Sequence, residues 1–115
     1  MTPGHAASVA RNQSLFREVN ERIEKFAGSS PSPVGAEFLC ECGRTSCLEA
    51  MPVDVAHYEA IRSSPRRFLV KPGHEQLEVE RIVERREAYL VVEKTAAGAA
   101  IAAELDPRGR VSGQV

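Results

Sequence analysis

The sequence predicts an α+β fold, and three observations support this prediction. Apolar residues recur with helical spacing near the N-terminus, short segments rich in β-formers occupy the middle, and an alanine-rich segment near the C-terminus favours a helix. With 115 residues, the chain is expected to form one domain. The expected order is an N-terminal amphipathic helix, a cysteine-bearing β-hairpin, a short helix, a small antiparallel sheet and a C-terminal helix.

The N-terminal part predicts a helix between two irregular segments. Residues 1–10 are small and polar and are expected to form a disordered start. Residues 11–27, "RNQSLFREVNERIEKFA", carry one helical stripe and predict an amphipathic helix packed on its own domain. Part of the stripe also has the spacing of a short coiled-coil seam. Residues 28–35, "GSSPSPVG", predict a linker. The stripe consists of Leu15, Phe16, Val19, Ile23 and Phe26.

The compact body is predicted to span residues 36–107. "AEFLCEC" and "CLEAMPV" read as two strands joined by the turn "GRTS". Asp54 is a candidate N-cap of a short helix that buries Val55, Tyr58 and Ile61 and stops at "SSP".

The second half of the body predicts a sheet and a final helix. "RRFLV" is a short strand, and "KPGH" is a turn in which Gly73 supplies conformational freedom. "LEVERIVE" and "AYLVVEK" predict a hairpin. "TAAGAAIAAELDPRG" predicts a helix with Ile101 and Leu105 inward and Pro107 at its end, followed by a disordered tail over residues 108–115.

Charge and hydropathy narrow the function classes. The net charge of -1 argues against binding nucleic acid or an anionic membrane by bulk electrostatics. No apolar run reaches the roughly 20 residues that span a bilayer, and "MTPGHAASVA" lacks the basic start and apolar stretch of a signal peptide. We therefore expect no membrane association and a cytoplasmic location, where thiols stay reduced.

All three cysteines lie within the eight residues "CECGRTSC". An odd number cannot close entirely into intramolecular disulfides. In an extended segment Cys40 and Cys42 project to the same face, and Gly43 permits a sharp turn that brings Cys47 back beside them. Three converging thiolates predict one structural zinc ion, which takes four nitrogen or sulfur ligands in a tetrahedron.

The fourth ligand is predicted to be a histidine. His74 follows "PG" in a turn between two strands, and this turn restricts the direction in which the His74 side chain projects. We expect His74 to complete a Cys3His site. His57, inside the short helix, is the principal alternative, whereas His5 lies in the expected disordered start. The site would carry a net negative charge, and Arg44 is the expected nearby cation.

Other cysteine chemistries fit less well. Iron–sulfur clusters usually take four cysteines, and a nucleophilic cysteine needs a nearby base. A catalytic zinc would keep an open position, which applies only if neither His57 nor His74 binds. Zinc-bound thiolates can also be oxidised with loss of the metal, so a redox-responsive zinc regulator stays an alternative.

Two resemblances support the zinc prediction. "CECGRTSC" resembles the C-x-C-x4-C zinc knuckle of post-SET segments, which implies that Cys40, Cys42 and Cys47 are zinc ligands but implies no methyltransferase activity. Over residues 11–107 the chain resembles a group of small uncharacterised bacterial zinc-binding proteins, through "RNQSLFREVNERIEKF", the knuckle, "HYEAIRSSPRRFLVKPGHE" and "YLVVEK" in that order. This likeness implies that "PGH" belongs with the knuckle and therefore supports His74.

The sequence predicts a non-enzymatic zinc-binding protein that serves as a regulatory or protein-interaction module. Its partner would be another protein or a second copy, docked on the helix of residues 11–27. Nucleic-acid binding is possible but less favoured, because five glutamates would dilute the field of the basic residues. The basic residues are Arg62, Arg66, Arg67, Lys71, Arg85 and Arg86, and the glutamates are Glu75, Glu78, Glu80, Glu84 and Glu87.

Overall fold

The structure is a computed structural model that describes residues 3–29, 36–44, 46–106 and 108, without the side chains of residues 3–7, 28–29 and 96–98. Its fold is α+β, as predicted, with a helix at the N-terminus and another near the C-terminus. In chain order the elements are α1 (Pro3–Ser29), β1 (Ala36–Leu39), β2 (Ala50–Val53), α2 (Val55–Ile61), β3 (Arg67–Val70), β4 (Glu80–Arg85), β5 (Leu90–Lys94) and α3 (Ala96–Glu104).

The strands form two small antiparallel sheets. One is the hairpin of β1 and β2, and the other has the order β3-β5-β4. The strands of the hairpin are shorter than predicted, because β1 ends at Leu39 and β2 begins at Ala50, so that the cysteines lie in the connection between them. The core lies between the sheets and the helices, and the ring of Phe38 stacks on that of Tyr58 at 4.3 Å. Tyr58 and Ile61 are buried as predicted, while Val55 is half-buried. The predicted N-cap is also confirmed, since the Asp54 carboxylate accepts a hydrogen bond from the Ala56 N–H.

Helix α1 is longer than the sequence predicted. It begins at Pro3 instead of Arg11 and ends at Ser29 instead of Ala27. Alanine favours helix, and proline is well tolerated in the first helical turn, which accounts for the earlier start. Val9 and Ala10, in the segment expected to be disordered, are buried. The linker prediction for residues 30–35 lies outside the described residues.

The face of α1 that packs on the body is polar, and the prediction that the apolar stripe would face inward was wrong for three of its members. Leu15, Val19 and Phe26 are 60%, 41% and 74% exposed. Phe16 and Ile23 are half-buried. We call Leu15, Val19 and Phe26 the outer stripe. The buried polar side chains on the opposite side of the helix, which we call the polar face, are Gln13, Arg17 and Asn20.

Arg17 shows how a buried polar face is tolerated. Its guanidinium donates hydrogen bonds to the carbonyl oxygens of Pro65 (2.6 Å) and Ala102 (2.9 Å) and lies 4.4 Å from the centre of the Phe68 ring. Buried polar groups are costly only when they lack partners, and a charged donor gains more from each hydrogen bond than a neutral one. Partners from distant parts of the chain therefore decide which face of α1 is buried.

The end of the described chain also holds α1 in place. Arg108 forms ion pairs with Glu21, Glu24 and Glu59, at N–O distances of 2.7 to 3.0 Å. The sequence placed this residue at the start of a disordered tail, but its guanidinium links α1 to α2. The rest of that tail, residues 109–115, and Pro107 lie outside the described residues. Within the described part of the chain, no helix combines the length and apolar character needed to cross a bilayer.

Candidate metal centre

The three cysteines lie in the connection between β1 and β2. We call residues 40–47 the metal loop; residue 45 lies outside the described residues. The hairpin extends into the loop, because the Cys40 N–H donates to the Glu49 carbonyl at 2.8 Å. Gly43 then turns the chain with φ 87°, and the Cys47 N–H donates to the Arg44 carbonyl at 3.0 Å. The loop thus returns Cys47 towards the other two cysteines, as the spacing predicted.

His74 approaches the same point from the turn that follows β3. Gly73 has φ 94°, and the His74 N–H donates to the Lys71 carbonyl at 2.9 Å. The ligand atoms of Cys40, Cys42, Cys47 and His74 all lie within 4.8 Å of one another. The three cysteines are buried and the histidine is half-buried. These four residues are therefore close enough to bind one metal ion.

The distances to the histidine match a tetrahedral ion. The His74 Nδ1 atom lies 3.6 Å from the Cys40 Sγ atom and 3.5 Å from the Cys47 Sγ atom. Zinc bound at about 2.3 Å to sulfur and about 2.0 to 2.1 Å to nitrogen requires a sulfur–nitrogen separation of about 3.6 Å at the tetrahedral angle. Nδ1 is therefore the ring atom placed to bind a metal.

Backbone donors favour the charged form of the sulfurs. The Lys71 N–H donates to the Cys40 Sγ atom at 3.2 Å, and a backbone hydrogen bond from Arg44 to Cys42 helps to lower the pKa of the Cys42 thiol. A hydrogen bond between the Cys40 and Cys42 side chains lowers the pKa of Cys42 to about 4 and, together with burial, raises that of Cys40. These opposite shifts arise within one hydrogen-bonded pair, in which Cys42 loses its proton more readily than Cys40. A metal requires thiolates, and the two backbone donors are the contacts that favour them.

His57 has different partners. Its ring nitrogens contact the Tyr89 hydroxyl and, at 3.0 Å, a carboxylate oxygen of Glu84. It therefore ties α2 to β4 and to the residue before β5, and it is not a member of the metal-ligating group found among the described residues. The side chain of His5 lies outside the described residues. Of the two histidines weighed for the fourth position, His74 is the one beside the cysteines.

A glutamate inside the metal loop was missed as a functional candidate. Glu41 is fully buried, and its carboxylate accepts hydrogen bonds from the Asn20 amide, the Tyr58 hydroxyl and the Leu69 N–H, each at 2.8 Å. Burial raises the pKa of Glu41, and these three donors oppose that effect. Because Cys40 and Cys42 flank Glu41, one buried carboxylate connects the metal loop to α1, α2 and β3. The alternation of side chains along an extended segment directs Glu41 away from the sulfurs of Cys40 and Cys42, but it does not reveal these partners.

A second cation lies near the site besides Arg44, the expected one, which is exposed and belongs to the metal loop itself. Lys71 pairs with Glu49 at 2.6 Å, and the Glu49 carboxylate raises the pKa of Lys71, with smaller contributions from the Cys47 and Cys40 sulfurs. Lys71 is therefore a cation close enough to interact electrostatically with the cysteine sulfurs. The sequence offered a signal for it, since Lys71 lies three residues before His74.

The basic residues considered for nucleic-acid binding are largely paired. Arg62 is buried and pairs with Asp106 at 2.6 Å, and Arg86 pairs with Glu84 at 2.5 Å. Arg67 pairs with Glu93 at 3.3 Å. Carboxylates beside the basic groups reduce the local positive field on which phosphate binding depends.

Helix α1 packs directly on the metal loop at Gly43, which leads to a prediction. A Cβ atom at Gly43 would lie 2.9 Å from both the carbonyl oxygen and a side-chain carbon of Val9 and 2.9 Å from a side-chain carbon of Gln13. We expect Gly43→Ala to lower the free energy of unfolding by about 2 to 5 kcal/mol, combining the left-handed backbone strain with overpacking. Denaturant unfolding measures this change.

Gly73→Ala is the matched control for this substitution. Gly73 has a similar positive φ, but beyond its two chain neighbours no atom of the described residues lies within 4 Å of its added Cβ. Its cost should therefore be the backbone strain alone, about 1 to 2 kcal/mol. Equal losses in the two variants would show that α1 does not press on the metal loop.

No family model, curated protein or solved structure matches this chain. The fold and the site by themselves define a class: an α+β protein with a Cys3His cluster that is close enough to bind a metal ion.

Proposed function

We propose that this protein is a non-enzymatic, cytoplasmic zinc protein in which one structural zinc ion is bound by Cys40, Cys42, Cys47 and His74. Its role is that of a regulatory or protein-interaction module. The observation that carries the proposal is the agreement between the sulfur–nitrogen distances of 3.5 and 3.6 Å and the separation of about 3.6 Å that tetrahedral zinc requires.

A structural role is favoured over a catalytic one by the ligand set. Four protein ligands complete the tetrahedron, whereas catalytic zinc usually keeps one position for water or substrate. The three cysteines are buried, and two of their sulfurs receive backbone hydrogen bonds, which stabilise thiolates as ligands. The metal then serves to hold the loop against α1 and β3, and the exposed outer stripe of α1 is the surface available for a partner.

The identity of the metal and its ligands can be tested by native mass spectrometry of protein purified under reducing conditions. We expect one zinc ion per chain in the wild type and loss or weakening of binding in His74→Ala. His57→Ala is the matched control, because it removes a half-buried histidine outside the cluster, and it should retain one zinc ion.

Two results would contradict the proposal. Zinc retained at full affinity by His74→Ala would mean that water or another residue fills the fourth position, so that a catalytic site would have to be considered. Wild-type protein that contains no metal under reducing conditions would instead favour a redox role for the three cysteines.

A further inference from the structure

Helix α1 exposes apolar side chains in one line while it buries polar ones. At about 100° per residue, Leu15, Val19 and Phe26 lie within about 40° of one another around the helix axis. The buried Gln13, Arg17 and Asn20 lie on the opposite side. Single exposed apolar residues are common, but an aligned set over three helical turns is a typical helix-docking surface.

The flanks of the outer stripe differ in character. On one side lie the half-buried Phe16 and Ile23, which extend the apolar surface towards the body. On the other side lie Glu18, Arg22 and Lys25, which carry both signs of charge. A helix that docks here must therefore offer apolar residues along one edge and complementary charges along the other.

We infer that the outer stripe binds a second copy of the same chain, with the two α1 helices antiparallel. This inference rests on the proposed function as an interaction module and names its partner. A two-fold axis at the level of Asn20 places Leu15 opposite Phe26 of the second copy along the centre of the contact. It also places Phe16 opposite Ile23 of the second copy on the apolar flank.

The charged flank selects the same register. In this pairing Glu18 of each copy lies opposite Arg22 of the other, so that two symmetric pairs of opposite charge form. A parallel two-fold pairing would instead place the charged flank of each helix against the apolar flank of the other, so that Glu18 and Arg22 would meet no opposite charge. Apolar matching and charge matching therefore both require the antiparallel register centred near Asn20.

The polar face explains why α1 can serve two contacts at once. Asn20 donates to the Leu39 carbonyl and accepts from the Leu39 N–H, both at 2.8 Å, so the polar face is held on the body by directional bonds. The outer stripe is exposed in this arrangement, so association through it requires no change in how the polar face packs on the body. Docking then costs little conformational entropy, because the helix is already formed.

Sedimentation equilibrium of the zinc-loaded wild type tests this inference. We expect a dimer of the 12.5 kDa chain. Phe26→Lys should weaken the dimer at least about 100-fold, because each dimer loses two buried phenylalanines. Leu77→Lys is the matched control: it alters a 64% exposed leucine outside α1 and should leave the dimer unchanged. Far-UV circular dichroism should show the same helix content in all three proteins.

A mixing experiment tests the register. Glu18→Lys and Arg22→Glu should each dimerise more weakly than the wild type, and an equimolar mixture should form a heterodimer more tightly than either variant forms a homodimer. An ion pair between residues 18 and 22 of the same helix cannot produce this result, because mixing the two variants does not change the contacts within each chain. Failure of the mixture to associate would overturn the antiparallel register.

The oligomeric state and the metal content are measured on the same samples. A wild-type protein that binds one zinc ion but stays monomeric up to millimolar concentration would overturn self-association and leave the zinc proposal standing, even if another protein binds the stripe. A dimer that persists in Phe26→Lys would also overturn the assignment of the surface. Absence of zinc with an intact dimer would instead overturn the proposed metal function.

Discussion

Removal of the proposed zinc ion is expected to unfold the metal loop and to loosen α1 from the body. Four ligands from two separate segments meet at one point, and without the ion three thiol groups and an imidazole have no common partner. Structural zinc contributes roughly 10 kcal/mol or more to folding at neutral pH, which is comparable to the whole stability of about 5 to 15 kcal/mol of a small domain. Thermal unfolding with and without a strong chelator measures the loss.

The contacts of the loop determine where the loss appears. Gly43 packs on Val9 and Gln13 of α1, and the Glu41 carboxylate accepts a hydrogen bond from the Asn20 amide of the same helix. When the loop unfolds, these contacts of α1 are lost. The hydrogen bonds among β3, β5 and β4 do not involve the loop and should therefore be kept. Hydrogen exchange after chelation should therefore accelerate at least about 100-fold in the centre of α1, for a loss of about 3 kcal/mol or more, and less in this sheet.

Two substitutions in the loop separate metal loss from a general effect of mutation. Cys42→Ser removes a ligand and should reproduce the effect of chelation on α1. Ser46→Ala changes an exposed residue of the same loop and should leave metal content and exchange rates unchanged. If α1 kept its full protection in chelated protein, the metal loop would not be the anchor of this helix.

Glu41→Ala is expected to lower the free energy of unfolding by about 3 to 5 kcal/mol, the lower part of the sum for three buried donors left without an acceptor. Three donors, from Asn20, Tyr58 and Leu69, would lose their acceptor inside the protein. Each buried donor left without a partner costs about 1 to 3 kcal/mol, and local relaxation or entering water reduces the sum. Denaturant unfolding at a fixed zinc concentration measures the change.

Glu37→Ala serves as the control for this substitution, because Glu37 is an exposed glutamate of β1 in the same hairpin. It should change stability little. Metal content must be measured for both variants. If Glu41→Ala still binds one zinc ion, its loss of stability is due to the carboxylate network and not to loss of the metal. A Glu41→Ala protein as stable as Glu37→Ala would show that the three donors find other acceptors.

Several features could be predicted because they depend on residues close together in the chain. The spacing of Cys40, Cys42 and Cys47 and the glycine after Cys42 define the loop, since alternate residues of an extended segment share a face and glycine permits the sharp turn. Asp54 caps α2 because its carboxylate reaches an N–H two residues away. The placement of His74 beside the cysteines agrees with the rigid turn that precedes it.

The orientation of α1 could not be predicted in this way. Its apolar stripe has the correct helical period, and that period is why the helix was recognised. Periodicity indicates a helix with two different faces, but the buried face depends on what the rest of the protein offers. Arg17 is buried because Pro65 and Ala102 supply carbonyl oxygens, and these lie 48 and 85 residues away in the chain.

The sequence by itself determined the α+β class, the cysteine-bearing hairpin and the residue types of the candidate metal site, because local spacing and short-range backbone geometry control them. Only the tertiary structure decided that the polar face of α1 is buried, that Glu41 connects the metal loop to three other elements, and that Arg108 links α1 to α2. The physical reason is that burial of a polar or charged group is favourable only when partners surround it. Those partners come from segments that are distant in sequence and meet only in the folded chain.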